Sequence, residues 1–222
     1  MFESLLRQMN EKTDWREFLR KEWGIEITPV QQEQFQLYAR LLQEYNQYFN
    51  LTRLATESEI YFYHFVDSLA GYYYIRQNNI RETNLLDIGS GAGFPGIPIK
   101  IVWPQSSVIL VESDGRKKKF LEVVIDQLNL KKIEARNIRA EDLKPGAIPP
   151  TVATLRAVGK IFPTLAALKH LSPISWFLWY ATEKLYRDNL ARLARTKPAI
   201  LAGDFYSWPG LKQRRLIVGI KN

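Results

Sequence analysis

The sequence contains no cysteine and only two histidines, His64 and His170, among its 222 residues. Without cysteine it forms neither a disulfide nor a thiolate metal site, and two histidines are few for a zinc centre, so we expect no metal. No stretch approaches the ~20 uninterrupted apolar residues of a membrane-spanning helix. The first residues lack the apolar core of a signal peptide, and we therefore expect a cytoplasmic protein.

Negative charge is scarce in the second part of the sequence. Residues 1–84 carry 9 Lys/Arg and 12 Asp/Glu, whereas residues 85–222 carry 22 and 11, a balance of +11. Such an excess of positive charge favours a polyanionic partner, of which nucleic acid is the commonest. A basic protein without such a partner explains the charge nearly as well.

Apolar residues recur at helical spacing through the first 80 or so residues. Thr28, Pro29 and Gln31 together form a helix start, with an N-cap, a first-turn proline and a capping glutamine, and Thr56–Glu59 forms a second capping box. The aromatic residues that follow are most simply core residues. We predict an N-terminal helical extension over residues 1–80 and a second domain over residues 81–222.

Apolar strands alternate with helices from Leu85 onwards, which predicts a mainly parallel sheet covered by helices. The predicted strands are 85–88, 108–111, 132–135, 151–155, 176–180, 200–201 and 216–220. The predicted helices between them are 97–102, 117–128, 162–171 and 184–194. Pro145, Pro149 and Pro150 indicate a loop, and residues 203–216 are expected to turn back as a hairpin.

The stretch from Leu85 to Gly96 is the most informative part of the chain. It reads as a buried strand that runs into a glycine-rich turn and then a helix, with Pro95 in the first helical turn. Glycines let such a turn approach a ligand without a Cβ in the way. This construction holds adenosine-containing cofactors against a sheet.

Two classes of cofactor fit this loop. Gly91, Gly93 and Gly96 satisfy the dinucleotide pattern, with Glu112 as the ribose acid. The longer run that begins at Asp87 also suits S-adenosylmethionine, in which case that acid faces the amino-acid part of the cofactor. A tight turn with a purely structural role is a third interpretation.

Three positions are expected to meet at the carboxyl edge of the sheet, where open parallel sheets bind ligands. The glycine turn follows the first strand, and Glu112 ends the second. Arg139–Asp142 follows the third, where the Ala140 N–H and the Glu141 side chain can meet an adenine edge. Taken singly, Glu112 is equally well a solvated strand end and Glu141 a helix-start acid.

Several stretches match one known family, and they are Asn50–Thr52, His64–Leu69, Leu86–Pro98, Glu112–Lys117, Arg139–Glu141, Leu155–Ala157 and Arg215–Lys221. In these stretches the chain resembles the RsmG family, also called glucose-inhibited division protein B. Members of that family methylate N7 of a guanine in small-subunit (16S) ribosomal RNA.

The resemblance implies a Rossmann-like class I methyltransferase fold, an α/β architecture with a mainly parallel seven-stranded sheet and helices on both faces. It implies S-adenosylmethionine as cofactor and 16S ribosomal RNA or the small ribosomal subunit as partner. We expect a monomer. The cofactor-binding residues it implies are Gly89, Gly91, Phe94, Glu112, Ala140, Glu141 and Arg156.

His64 and Arg156 are candidates for contact with RNA, and neither is assigned a catalytic role. His64 beside aromatic residues is more often a structural hydrogen-bonding group, and Asp67 can orient it. Two positions depart from the family pattern. Tyr63 replaces an arginine before the histidine, and Glu183-Lys184 replaces a Lys-Gly pair, so that Lys184 can supply the lysine one place along.

Four consecutive cations, Arg116–Lys119, stand at a predicted helix start, where the helix dipole disfavours them. An RNA phosphate explains them, and so does a solvated helix face.

The leading hypothesis is therefore an S-adenosylmethionine-dependent methyltransferase acting on guanine N7 in 16S ribosomal RNA. That nitrogen presents a lone pair in the major groove, so no general base is needed and no catalytic residue is named. The alternatives are a nicotinamide-dependent oxidoreductase and a non-catalytic ribosome-assembly factor that keeps the cofactor fold.

Overall fold

The computed structural model describes residues 14–54, 56–81, 83–144, 151–157, 160–168, 171, 174–195, 200–208 and 211–221. The predicted proline loop at residues 145–150 and His170 lie outside the described residues. So do parts of two other predicted elements, the end of the helix 162–171 and part of the hairpin 203–216.

Helices occupy the first part of the described chain and then alternate with strands. The helices are α1 Trp15–Trp23, α2 Pro29–Phe49, α3 Glu57–Glu59, α4 Asp67–Gln77, α5 Gly96–Val102, α6 Gly115–Gln127, α7 Ile161–Leu168 and α8 Glu183–Leu193. A π-helical segment, Ile60–Val66, joins α3 to α4, and a short 3-10 helix spans Ala140–Asp142. Among the described residues, no helix is both long enough and apolar enough to cross a bilayer.

The two predicted N-terminal helix starts are confirmed. Thr28 caps α2 with its side chain and forms a reciprocal capping box with Gln31, and Thr56 does the same with Glu59 at the start of α3. Pro95 differs slightly from the prediction, because it lies just before α5, which begins at Gly96.

In the described part of the chain, seven strands form one sheet in the order β3-β2-β1-β4-β5-β7-β6. They are β1 Asn84–Ile88, β2 Ser107–Glu112, β3 Ile133–Asn137, β4 Thr151–Leu155, β5 Ile174–Thr182, β6 Ile200–Ala202 and β7 Arg215–Lys221. The first five strands pair in parallel, and β7 pairs antiparallel with both β5 and β6. The predicted α/β class and mainly parallel sheet are thereby confirmed.

The sheet buries apolar side chains on both faces, because neighbouring strand residues point to opposite sides. Leu85 belongs to a core shared with the N-terminal helices, α5 and α6, and Leu86 belongs to the core on the other face. The order of strands reverses between β1 and β4, and ligands bind open sheets of this kind where that reversal occurs.

Helix α4 lies directly on strand β5, and a glycine makes this close approach possible. The Tyr180 hydroxyl of β5 donates a hydrogen bond of 2.8 Å to the Ser68 carbonyl at the start of α4. A Cβ added at Gly71 would overlap that same tyrosine ring and hydroxyl. The helical extension and the sheet therefore share one packed core.

Replacing Gly71 with alanine is expected to destabilise the protein by about 1–3 kcal/mol, because the new methyl group overpacks the contact with Tyr180. Chemical denaturation monitored by tryptophan fluorescence measures this change. Gly115→Ala is the control, since its Cβ would find only Asn137 at 3.5 Å. An unchanged free energy of unfolding in Gly71→Ala would contradict the close packing.

Candidate cofactor site

The glycine turn follows β1 and is held against the neighbouring strand β2. The backbone N–H groups of Gly89 and Ser90 both donate to the Val111 carbonyl, at 2.9 and 3.0 Å. Gly89, Gly91 and Gly93 have φ values of +70°, +59° and +98°. Glycine adopts this left-handed region without the steric cost that a Cβ brings, which explains the residue type at these positions.

The glycines of this turn have two different surroundings. Within the part of the chain that the structure describes, a Cβ at Gly89 would meet nothing within 4 Å, and one at Gly91 would find only the Gly89 carbonyl at 4.0 Å. A Cβ at Gly93 would instead lie 2.6 Å from both the Tyr38 hydroxyl and the Ile97 side chain. The first two glycines therefore border open space, and the third serves packing between the loop and the N-terminal helix α2.

Asp87 does not face the open side of the turn, where the S-adenosylmethionine pattern would place it, because its side chain is completely buried. One carboxylate oxygen accepts from the Gly96 N–H at 3.0 Å, and the other accepts from the Thr154 hydroxyl at 2.9 Å. Burial raises the pKa of Asp87 to about 6, although these hydrogen bonds oppose the shift. The physical reason for the difference is that the residue lies within β1, one position before its end, where its side chain points into the core.

Glu112 ends β2, and its carboxylate holds the glycine turn. Oε2 accepts from the Gly91 N–H at 2.8 Å, and Oε1 accepts from the Asp114 N–H at 2.8 Å. Each carboxylate oxygen has two acceptor sites, so each retains one for a ligand hydroxyl. The predicted ribose acid is thus placed beside the open side of the turn.

The third predicted segment lies at the same edge of the sheet. The 3-10 helix Ala140–Asp142 follows β3, and β3 pairs with β2 up to the contact between Asn137 and Glu112. A surface cleft there is lined by Ser113, Asp114, Asn137, Ile138, Arg139 and Asp142. The Glu141 side chain is about half exposed, with the Arg139 guanidinium 3.8 Å away. Its contact with a cofactor stays a prediction.

Phe94 follows the last glycine of the turn, and its ring packs against the N-terminal helices and stacks on His64. The two ring centroids are 4.4 Å apart and the planes differ by 8°. The Nε2 atom of His64 lies 3.2 Å from the Leu54 carbonyl and 3.0 Å from the Thr52 hydroxyl. Since a carbonyl only accepts, Nε2 carries the proton in this contact. Burial, followed by the charge of Arg156, lowers the pKa of His64 to about 4, so the ring is neutral at pH 7.

Arg156 follows β4 and connects Phe94 with the π-helical segment. Its Nε donates to Asp67 at 2.8 Å, its Nη2 donates to the Tyr63 carbonyl at 2.5 Å, and its guanidinium lies 5.7 Å from the centre of the Phe94 ring. Only 17% of its side chain is exposed. Arg156 is therefore not a solvated surface arginine and stands next to the predicted cofactor loop.

Asp67 is the centre of this network and is 1% exposed. Its Oδ2 also lies 2.7 Å from Nη1 of Arg215, and its Oδ1 accepts from the Tyr206 hydroxyl at 2.9 Å. Burial alone would raise the pKa of Asp67, but the guanidiniums of Arg156 and Arg215 keep it below its usual value. In the sequence, Arg215 stands out only as part of a stretch that matches the family, and no motif marks Tyr206.

The comparisons with known proteins identify the family. The model of the GidB family, described as rRNA small subunit methyltransferase G, matches residues 31–216. The chain belongs to this family. Ribosomal RNA small subunit methyltransferase G of Leuconostoc citreum is 42% identical over 120 residues, which are 54% of this chain and 50% of that protein. Its counterpart in Staphylococcus aureus strain JH9 is 38% identical over 150 residues, 67% of this chain and 62% of that protein.

The chain thus matches about half to three-fifths of the length of these curated GidB-family relatives. Among solved structures, one from Klebsiella pneumoniae named as an O-methyltransferase superposes with a TM-score of 0.60. It is 12% identical and covers 97% of this chain and 99% of that chain. At this identity the likeness shows the fold alone, which is the methyltransferase fold implied by the family resemblance.

The structure shows the surroundings of the residues that depart from the GidB family pattern, which are Tyr63, Glu183 and Lys184. Glu183 binds Arg214 through paired contacts of 2.9 Å and Arg187 at 2.8 Å, so it joins the start of α8 to the residue before strand β7. Lys184 is exposed. Tyr63 uses its carbonyl to accept from Arg156. A substrate role for Lys184 stays a prediction.

Replacing Asp67 with asparagine is expected to cost about 3–5 kcal/mol of stability, because Arg156 and Arg215 lose their shared buried counter-charge. Chemical denaturation at pH 7 measures the loss. Asp126→Asn makes the same chemical change on the exposed side of α6 and should leave stability within about 0.5 kcal/mol. Equal stabilities of the two variants would contradict the role of Asp67.

The raised pKa of Asp87 predicts a pH-dependent difference between the wild type and Asp87→Asn. The folded state favours the protonated acid, so its contribution is greatest below the unfolded pKa of about 3.9 and is lost as pH rises through about 6. Asparagine is neutral throughout. The stability of Asp87→Asn relative to wild type should therefore increase by about 2 kcal/mol between pH 4 and pH 8. Parallel stability curves over this range would show that Asp87 ionises normally.

Proposed function

We propose that this chain transfers the methyl group of S-adenosylmethionine to N7 of a guanine in small-subunit ribosomal RNA. The observation that carries the proposal is the open space beside Gly89 and Gly91, bordered by the Glu112 carboxylate, in a member of the GidB family. The relatives are named as ribosomal RNA small subunit methyltransferases, and the proposal extends that activity to this chain.

The residues present fit S-adenosylmethionine better than a dinucleotide. A dinucleotide needs close backbone approach near the middle glycine of its pattern and free N–H groups at the following helix start. Here Tyr38 and Ile97 crowd Gly93, and the Gly96 N–H is already bound to Asp87. The space lies earlier in the loop, which supports the longer glycine run as the cofactor site.

The proposed roles of the residues follow from their positions. Gly89 and Gly91 leave room for S-adenosylmethionine to approach the main chain of the loop. The remaining acceptor site on each oxygen of Glu112 suits the ribose hydroxyls. Ala140 and Glu141 stand at the strand end where the adenine is expected. Phe94, held between His64 and Arg156, closes the loop on the side of the N-terminal helices.

The proposed methyl transfer requires the protein mainly to align the reacting atoms. When bound, S-adenosylmethionine supplies a methyl group on a positively charged sulfur. Guanine N7 presents its lone pair without losing a proton, so the residues need to orient the base and exclude water. The neutral His64 and the ion-paired Arg156 suit positioning rather than proton transfer. No residue is assigned as a general acid or base.

Calorimetric titration with S-adenosylmethionine, its demethylated product and NADH tests the cofactor class. We expect selective binding of the first two. Incubation of small-subunit RNA and of small subunits with labelled S-adenosylmethionine, followed by chemical cleavage at 7-methylguanine, tests the reaction. Binding of NADH alone would support the oxidoreductase. Cofactor binding without methylation of either substrate would support the assembly factor.

Glu112→Gln is expected to weaken S-adenosylmethionine binding by at least about 10-fold, because an amide cannot accept from both Gly91 and Asp114 and binds ribose hydroxyls less strongly. Calorimetry gives the affinity. Glu134→Gln is the matched control, since this exposed glutamate on β3 contacts only Arg136 among the described residues. A similar affinity in both variants would remove Glu112 from the proposed site.

A further inference from the structure

Among the described residues, the aromatic side chain with the highest exposed fraction stands at the carboxyl end of α2. Tyr48 is 72% exposed and Phe49 beside it is 36% exposed. Most of the other aromatic rings of the N-terminal helices are packed in the core. Burial therefore does not account for an aromatic residue at position 48.

A series of ring contacts holds this exposed pair in place. Phe120 of α6 is buried and contacts Tyr45 at a centroid distance of 5.4 Å, Tyr45 contacts Phe49 at 6.1 Å, and Phe49 contacts Tyr48 at 6.4 Å. The inner rings are fixed by the core, and the outermost ring is presented to solvent. A ring held in this way loses little freedom when a base stacks on it.

Cations without ion-pair partners flank the same place. Helices α2 and α6 pack antiparallel, because Gln34 binds the Leu128 carbonyl at one end and Tyr45 contacts Phe120 at the other. The start of α6 thus lies beside the end of α2. Of the four cations there, Arg116 is paired with Asp114 and Lys118 with Glu122.

Lys117 and Lys119 have no ion-pair partner among the described residues, and neither has the exposed Arg53 just after α2. Three such cations thus stand on the segments that adjoin the two exposed rings. Cations that bind phosphates and rings that stack bases are the combination used to hold single-stranded nucleic acid. An acidic protein segment would use the cations and leave the rings unused.

Both parts of this surface continue directly into the candidate cofactor site. Thr52, four residues after Tyr48, contacts His64, whose ring stacks on Phe94 of the glycine loop. Lys117 follows five residues after Glu112, which binds Gly91 of the same loop. A single-stranded nucleic acid that crosses this surface therefore reaches the glycine loop.

We propose that Tyr48, Phe49, Arg53, Lys117 and Lys119 form a docking surface for a single-stranded segment of ribosomal RNA next to the target guanine. The inference rests on the proposed function and assigns to that site the surface that holds its substrate. Tyr48 stacks on a base, and the cations contact the flanking phosphates. Because base contacts by stacking tolerate any base, this surface supplies affinity and leaves the choice of the guanine to the site itself.

Tyr48→Ala tests the stacking. We expect the KM for small-subunit RNA to rise by about 10-fold, with kcat at saturating RNA unchanged, since a stacked base is worth about that factor or more. Tyr48→Trp should restore the KM. Val30→Ala, at the opposite exposed end of α2, is the matched control and should behave as wild type.

Lys119→Glu tests the phosphate contacts. The logarithm of RNA affinity should depend less steeply on the logarithm of salt concentration, with the slope reduced by about 0.7 for one lost contact to a single strand. Lys131→Glu makes the same charge change beyond the far end of α6, at an exposed position, and should retain the wild-type slope. Binding of S-adenosylmethionine, measured by calorimetry, should stay the same in all variants.

The outcomes separate this inference from the proposed function. If the wild type methylates RNA and both Tyr48→Ala and Lys119→Glu match their controls, the docking surface is wrong and the function stands. If the wild type methylates nothing, the function fails, and direct RNA binding by the same variants still decides the surface. A defect seen with assembled subunits and absent with naked RNA would assign the surface to a ribosomal protein and overturn the proposal.

Discussion

The buried carboxylate of Asp67 joins three parts of the chain that are far apart in sequence. It lies at the start of α4 and binds Arg156 after β4, Arg215 at the start of β7 and Tyr206 in the segment before it. A buried charge without partners is costly, so the Asp67 carboxylate and the two guanidiniums stabilise one another in this buried position. The N-terminal helices, the end of β4 and the start of β7 are therefore fixed relative to one another, and the glycine loop lies beside them.

Two acidic residues outside the glycine loop hold it from opposite sides. Asp87 anchors the helical side of the loop from within the core, and Glu112 anchors the open side from the end of the next strand. Their different roles follow from position, since Asp87 lies inside its strand and Glu112 at the end of its strand. The two contacts fix the shape of the loop on both sides.

Much of the fold could be predicted because the local patterns agree with the tertiary structure. The capping residues Thr28 and Thr56 act as their sequence context indicates, and alternation of apolar strands with helices predicted the parallel sheet. Glu112 was placed correctly beside the loop because parallel strands end at the same edge. The S-adenosylmethionine pattern turns Asp87 towards the ligand, whereas the structure places its side chain in the core. An acid near a strand end gives no indication in sequence of whether it points inwards.

The sequence by itself determined the class of fold, the position of the glycine turn and the family, since these depend on residue order within short stretches and on hydrophobic period. Only the tertiary structure decided that Gly89 and Gly91 border open space while Gly93 is crowded by Tyr38. It also decided that Tyr206 and Arg215 share the carboxylate of Asp67, about 140 residues away along the chain. Such contacts depend on how distant segments pack, and side-chain packing across a sheet leaves no fixed spacing in the sequence to reveal it.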